Sequence, residues 1–166
     1  MPEPPEDFGE FYLAAYRRLL RQLFAVTGDL AEAEDVLQEA FARAILRWAR
    51  IRAYENPESW VRRVALNLAG TGARRLRRRA AALLKLGPPP VVPPLSPDAL
   101  DLHNALRALP LAQRQAIVLH HLVGLPVDQV AAELGVPSGT VKARLSRGRT
   151  ALARHLGPDF EEALPS

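Results

Sequence analysis

Side chains able to do acid–base, nucleophilic or metal chemistry are few in this chain, and their spacing argues against all three. Cysteine is absent, which removes disulfides, thiolate zinc sites and cysteine nucleophiles together. Of the four histidines, His120 and His121 are adjacent. Neighbours on a helix point about 100° apart and do not readily share a metal. His103 and His155 lack carboxylates at matching spacing. Gly70-Thr71-Gly72 has neither the preceding strand nor the lysine of a phosphate-cradling loop. The histidines therefore read as packing or surface residues. No cofactor or metal is expected, and the chain is not expected to be an enzyme.

What remains is charge arranged for binding. The net charge is only +4, but its distribution is uneven. From Gln22 to Ala42 there is no basic residue, while Asp29, Glu32, Glu34, Asp35 and Glu39 are acidic. From Ser59 to Pro97 there is no acid, against Arg62, Arg63, Arg74, Arg75, Arg77, Arg78, Arg79 and Lys85. A second acid-free stretch carries Lys142, Arg144, Arg147, Arg149 and Arg154. One acidic and two basic faces suit two kinds of partner, the basic pair a polyanion.

These residues must be positioned by helices, because strand signals are scarce. Phe8, Phe11, Tyr12, Ala15, Leu19, Leu23 and Phe24 recur at threes and fours, the period of an amphipathic helix. Thr27-Gly28-Asp29 breaks it, and Asp29 or a neighbour can cap the next. That second helix is expected to bury Val36, Leu37, Ala40, Phe41, Ala44, Ile45 and Trp48. Asp35 and Glu39, one turn apart with no nearby cation, are expected to be exposed on it. The pattern fails around Ala53-Tyr54-Glu55-Asn56-Pro57, where Asn-Pro favours a turn. A third helix follows through Trp60, Val61, Val64, Ala65 and Leu68 and runs on towards the arginine cluster.

Composition then changes. Gly87-Pro88-Pro89-Pro90-Val91-Val92-Pro93-Pro94 cannot sustain a helix or a central strand. It reads as an extended spacer or an ordinary flexible linker. Ser96-Pro97-Asp98 restarts helix with a serine cap, a first-turn proline and an acid near the positive end of the dipole. Leu100, Ala105, Leu106 and Leu109 supply an apolar face, and Ala116, Ile117, Leu119 and Leu122 another beyond Pro110. The expected fold is all-α: two small helical domains joined by a Pro-rich linker, with boundaries at 1–80, 81–97 and 98–166. With 166 residues, two small domains fit the length. The acidic, proline-rich start is unlike a signal peptide, and no apolar run approaches the roughly 20 residues of a membrane span. A soluble, cytoplasmic protein is expected.

The sharpest motif lies at 125–154. A short helix over 126–134 carries Val130, Ala131 and Leu134 on its apolar side. Gly135-Val136-Pro137 makes a tight turn, with glycine free to take a left-handed conformation. In the helix from Ser138 onward, Val141, Leu145 and Leu152 face inward. Lys142, Ala143, Ser146, Arg147 and Thr150 face outward, as a major-groove helix requires. Small Ala143 and Ser146 between cations allow close approach to base edges, and lysine and arginine reach phosphate or guanine. This is a helix-turn-helix.

The stretch from Ala132 to Arg149, AELGVPSGTVKARLSRGR, closely resembles the C-terminal helix-turn-helix of extracytoplasmic-function sigma factors. So does its lead-in, Leu109-Pro110-Leu111-Ala112-Gln113-Arg114. Residues Ala33 to Phe41, AEDVLQEAF, resemble that family's polymerase-binding helix. Pro57-Glu58-Ser59-Trp60-Val61 with Val64-Ala65-Leu66-Asn67 resembles its −10-reading helix. Order and spacing agree over about residues 8–156.

The resemblance implies promoter recognition on behalf of core RNA polymerase. By the same likeness, Asp35, Gln38 and Glu39 grip the polymerase. Tyr54, Glu55 and Asn56 capture a flipped −10 base beside Arg63 and Asn67. Thr140, Lys142, Ala143, Ser146 and Arg147 read the −35 element of promoter DNA. It further implies control by a separate anti-sigma factor. Leu66 departs from the family, which usually has arginine there, and Gly70 and Gly72 interrupt the helix that should follow. Two other readings stand beside it: a stand-alone helix-turn-helix regulator binding an operator, and an adaptor that binds polymerase alone.

Overall fold

A computed structural model describes residues 5–69, 94 and 96–163, with backbone alone at 161–163. The chain divides into two compact units, residues 1–24 with 29–93 and residues 25–28 with 94–166. Every regular element among the described residues is helical. Residues 81–93 and 95 of the expected 81–97 linker, and Arg74 to Arg79, lie outside them.

The first unit is built from α1 (Glu6–Thr27), α2 (Leu30–Leu46), α3 (Trp48–Ile51) and α4 (Pro57–Leu68). Phe8, Tyr12, Ala15, Tyr16, Leu19, Leu20 and Leu23 of α1 are buried. They face Val36, Leu37, Ala40 and Phe41 on α2 and Val61 and Ala65 on α4, all fully buried. An aromatic cluster closes one end. Trp48 meets Phe8 edge-on at 5.2 Å and stacks on Phe11 at 5.0 Å, while Tyr12 meets Phe41 at 4.9 Å. Each such pair adds about 0.5–1.5 kcal/mol beyond the area it buries. Asp29 caps α2, accepting from the amides of Ala31 and Glu32 at 2.9 and 3.3 Å, as its position before the apolar run predicts.

Two expectations for this unit are corrected. The second helix does not reach Trp48. It stops at Leu46, because Arg47 leaves the helical region at φ −121°, ψ 14°. Trp48 starts α3 instead, and its ring lies against Phe8 and Phe11. The third helix does not run on: α4 ends at Leu68, with Ala69 extended at φ −60°, ψ 130°. Leu66, standing where the family usually has arginine, is buried in the core at 5% exposure.

The second unit holds α5 (Pro97–Arg107), α6 (Leu111–Ile117), a wide π turn over Val118–Leu122, α7 (Val127–Leu134), α8 (Ser138–Leu156) and α9 (Pro158–Ala163). Ser96 caps α5 by accepting from the Ala99 amide at 3.3 Å. The central α8 packs against α5, α6, α7 and α9. Its buried stripe is Val141, Leu145, Gly148 and Leu152, at the three- and four-residue steps of one helix face. Gly148 has a specific reason to be glycine. A Cβ there would lie 2.7 Å from Ile117 Cγ1, so α6 and α8 come closer than any larger residue allows. Leu100 and Leu122, expected on apolar faces, are exposed. The wide turn rotates Leu122 off the face that Ala116, Ile117 and Leu119 bury, since each added residue per turn shifts the register.

The same turn half-buries two histidines. His120 Nδ1 lies 2.7 Å from the Leu125 carbonyl, and the His120 and His121 rings meet edge-on at 4.7 Å. His121 Nε2 is buried without a partner among the described residues. Burial, helped by His120 and Arg149, lowers the His121 pKa to about 4.

Gly148→Val is expected to destabilise the chain by about 1–3 kcal/mol through overpacking. In denaturant melts, Gly148→Val with Ile117→Ala should lose less than the two single losses added. The His121 shift has a definite sign. An unfolded histidine takes up a proton near its ordinary pKa of about 6.5, while the folded one resists until about pH 4. Its contribution is therefore complete above pH 6.5 and is lost as pH falls towards 4. Thermal midpoints at pH 7 and pH 5 should fall further in the wild type than in His121→Phe.

Candidate nucleic-acid interface

The turn between α7 and α8 is closed by backbone geometry. Gly135 takes φ 65°, ψ 36°, the left-handed cap expected of it, and the Val136 amide returns to the Ala131 carbonyl at 3.1 Å. Pro137 then starts α8, its carbonyl accepting from the Thr140 and Val141 amides at 3.0 and 3.2 Å. With Val141, Leu145, Gly148 and Leu152 turned inward, Lys142, Ala143, Ser146, Arg147 and Thr150 are all exposed and share the opposite face. Thr140 is half-buried at its edge. Thr150 Oγ1 donates to the Ser146 carbonyl at 3.1 Å, which leaves the middle of this face low and small. No acid lies anywhere in α8. This is a surface of donors and cations, suited to phosphate and to the acceptor edges of bases.

The first unit presents a second polar surface. Tyr54, Glu55 and Asn56 are exposed in the loop before α4, as are Arg63 and Asn67 on its outward side. Asn56 also caps α4, its Oδ1 accepting from the Ser59 amide at 3.2 Å. Trp60, named above only as a position of this helix, falls at the same helical spacing as Arg63 and Asn67 and is half-buried. Arg62 does not belong with the exposed cations: it is 3% exposed and donates to Gln22 Oε1 at 3.3 Å. It points at α1 rather than outward because it shares the buried side of α4 with Val61, Ala65 and Leu66.

The expected exposure of Asp35 and Glu39 on α2 is corrected, in part for the first and wholly for the second. Asp35 and Gln38 are half-buried, and Gln38 Nε2 donates to the Tyr12 hydroxyl at 3.2 Å. Glu39, expected to be exposed with no cation near, is buried at 7% exposure and pairs with Arg43 at 2.9 Å. Arg43 stands one residue beyond the basic-free stretch and one helical turn from Glu39, so the spacing for the pair was present. The other oxygen, Glu39 Oε2, is buried with no partner among the described residues.

Two helical units, one with a helix-turn-helix whose reading face carries no acid, define a DNA-binding transcription protein. Comparison with known proteins narrows this. Residues 11–79 match the family model for Sigma-70 region 2, and residues 99–152 the model for Sigma-70, region 4. The RNA polymerase sigma-E factor of Streptomyces coelicolor is 30% identical over 90% of this chain and 86% of its own length. The ECF RNA polymerase sigma factor SigM of Mycobacterium tuberculosis is also 30% identical, over 90% of this chain and 77% of its own. Among solved structures, the sigma factor RpoE of Bartonella quintana, crystallised with the anti-sigma factor NepR, superposes with a TM-score of 0.70. The two are 26% identical, covering 93% of this chain and 99% of that one. The chain belongs to the extracytoplasmic-function family of RNA polymerase sigma factors. It directs transcription initiation, and that family is not one of enzymes.

Glu39 carries the cleanest stability test. A buried carboxylate with one oxygen unsatisfied costs more than a similarly shaped apolar side chain. Glu39→Met is therefore expected to raise stability by about 1 kcal/mol, read as the shift in urea midpoint at constant slope.

Proposed function

We propose that α2 docks on core polymerase through Asp35, Gln38 and Glu39, and that the two units read the two promoter elements. Tyr54, Glu55 and Asn56, with Arg63 and Asn67, take the −10 element. Thr140, Lys142, Ala143, Ser146 and Arg147 take the −35 element. Residues 1–80 and 98–166 are the corresponding domains, with 81–97 as the spacer. The observation that supports this reading best is α8 itself, whose buried stripe leaves an exposed, acid-free face of small residues flanked by cations. Glu39 Oε2, buried with no partner among the described residues, supports the polymerase assignment, since a stability cost retained at one position suits a docking function. Glu39→Met, stabilised or not, should bind core polymerase more weakly.

The same reading carries the coarser properties of the family into detail. The chain works without catalysing a reaction, and it works in the cytoplasm, where polymerase and promoter are. No described helix is long and apolar enough to cross a membrane. The Bartonella quintana relative was solved bound to an anti-sigma factor, and we propose an inhibitor of that kind for this chain. A stand-alone regulator would use the same face of α8. It would leave the acidic stretch of α2 and the loop before α4 without a role.

Binding to a library of single-base −35 variants at two salt concentrations tests the recognition face. Arg147→Ala is expected to relax preference at one promoter position, at a cost of about 1–3 kcal/mol. Arg154→Ala, exposed near the distal end of α8, should weaken every sequence alike and lower the salt slope by about one unit. A uniform loss for Arg147→Ala would move it to the phosphate contacts and leave direct readout to its neighbours.

A further inference from the structure

The loop before α4 is tied to one helix at both of its ends. At the near end Arg52 Nη1 reaches Asp7 Oδ2 at 3.1 Å. At the far end Arg18 forks onto Glu58, its Nε donating to Oε2 at 3.0 Å and its Nη2 to Oε1. Asp7 and Arg18 are eleven residues apart on α1, about 16 Å along its axis. Glu58 sits in the first turn of α4, where the helix N-terminus also favours a carboxylate. Between the two ties the hydrogen bonds among the described residues are local. The Ala53 and Tyr54 amides donate to Arg50 and Ile51 at 3.3 and 3.0 Å, and Asn56 caps α4. Exposed ion pairs contribute little to global stability, so these four residues are poorly explained as fold stabilisers. A two-toothed arginine–carboxylate fork does, however, fix geometry.

We infer that Arg18 and Glu58, helped by Asp7 and Arg52, are positioning residues that hold the 52–56 loop in its base-capturing shape. A loop ordered beforehand does not have to lose its freedom at the moment a base is taken. The inference rests on the assignment of this loop to the −10 element. It competes with a simpler role for Arg18, whose side chain is 55% exposed against 23% for Glu58. Arg18 as a direct phosphate contact would be hindered by Glu58, whereas Arg18 as a brace needs it.

That opposition of sign is the test. The full chain is combined with core polymerase on a promoter carrying a fluorescent base in the −10 element. Melting rate, closed-complex affinity and thermal midpoint are read together. Arg18→Ala and Glu58→Gln should each slow melting about two- to fivefold, with the other two readouts unchanged. The double variant should be no slower than either single. Arg52→Ala should slow melting in the same way from the other end. Arg18→Lys keeps the charge but not the fork and should recover part of the rate. Faster melting or tighter binding in Glu58→Gln would overturn the brace, as would additive losses or a wild-type rate in Arg18→Ala. Tyr54→Ala separates the two readings. Slow melting there beside a normal Arg18→Ala removes the brace alone, and a normal rate in Tyr54→Ala removes the loop assignment beneath it.

Discussion

A helix has one circumference, and α8 must divide it between burial and recognition. Its inward stripe of Val141, Leu145, Gly148 and Leu152 is in contact with most of the second unit. Because Gly148 has no side chain, α6 approaches to where Ile117 would collide with a single added carbon. That seating occurs in the middle of the helix, opposite Ser146 and Thr150. Glycine in a helix interior costs up to about 1 kcal/mol relative to alanine, and here the closer packing offsets it. The exposed, acid-free face of α8 is thus oriented by a close contact behind it, and none of its exposed residues has to serve the core.

The first unit reaches the same end by a different route. An aromatic cluster closes its core where that of the second is aliphatic, and the surface proposed for the −10 element is a loop with a helix behind it. The break at Arg47 lets Trp48 fold against Phe8 and Phe11, and α3 delivers the chain to the loop from a fixed point, Ile51, at 1% exposure. Polar side chains then finish what packing cannot, with Asn56 capping α4 and arginine–carboxylate pairs on either side.

Much of this was legible beforehand, and the failures have a common cause. The helix-turn-helix could be read because each of its signals is local: a glycine at the turn, a proline at the helix start, an inward stripe at regular steps. Caps at Asp29 and Ser96 were legible for the same reason. Glu39 and Arg62 were misread because charge in a sequence is taken as exposure until a partner is known. Arg43 and Gln22 are the partners, and Gln22 is forty residues from the arginine it holds. The end of α2 at Arg47 had no signal at all. Apolar spacing continues unbroken through it, and the Trp48 ring just beyond the turn packs on Phe8 and Phe11 of α1, a contact distant in sequence. The same holds for Leu122, whose spacing is helical but whose turn is wider than spacing alone can tell.

Asn56 has a consequence for how such a protein changes over generations. Its amide oxygen holds the first turn of α4, a task that serine, threonine, aspartate or glycine perform nearly as well and most other residues do not. On the proposed assignment, the same side chain meets a promoter base. Variation there is therefore confined to a short alphabet set by helix capping, and a new promoter preference must be spelled from it. Tyr54, two residues earlier, donates its backbone amide to Ile51, and its side chain caps no helix among the described residues. Divergence in what this loop recognises should therefore accumulate at the tyrosine position first and at the asparagine position within a few permitted letters.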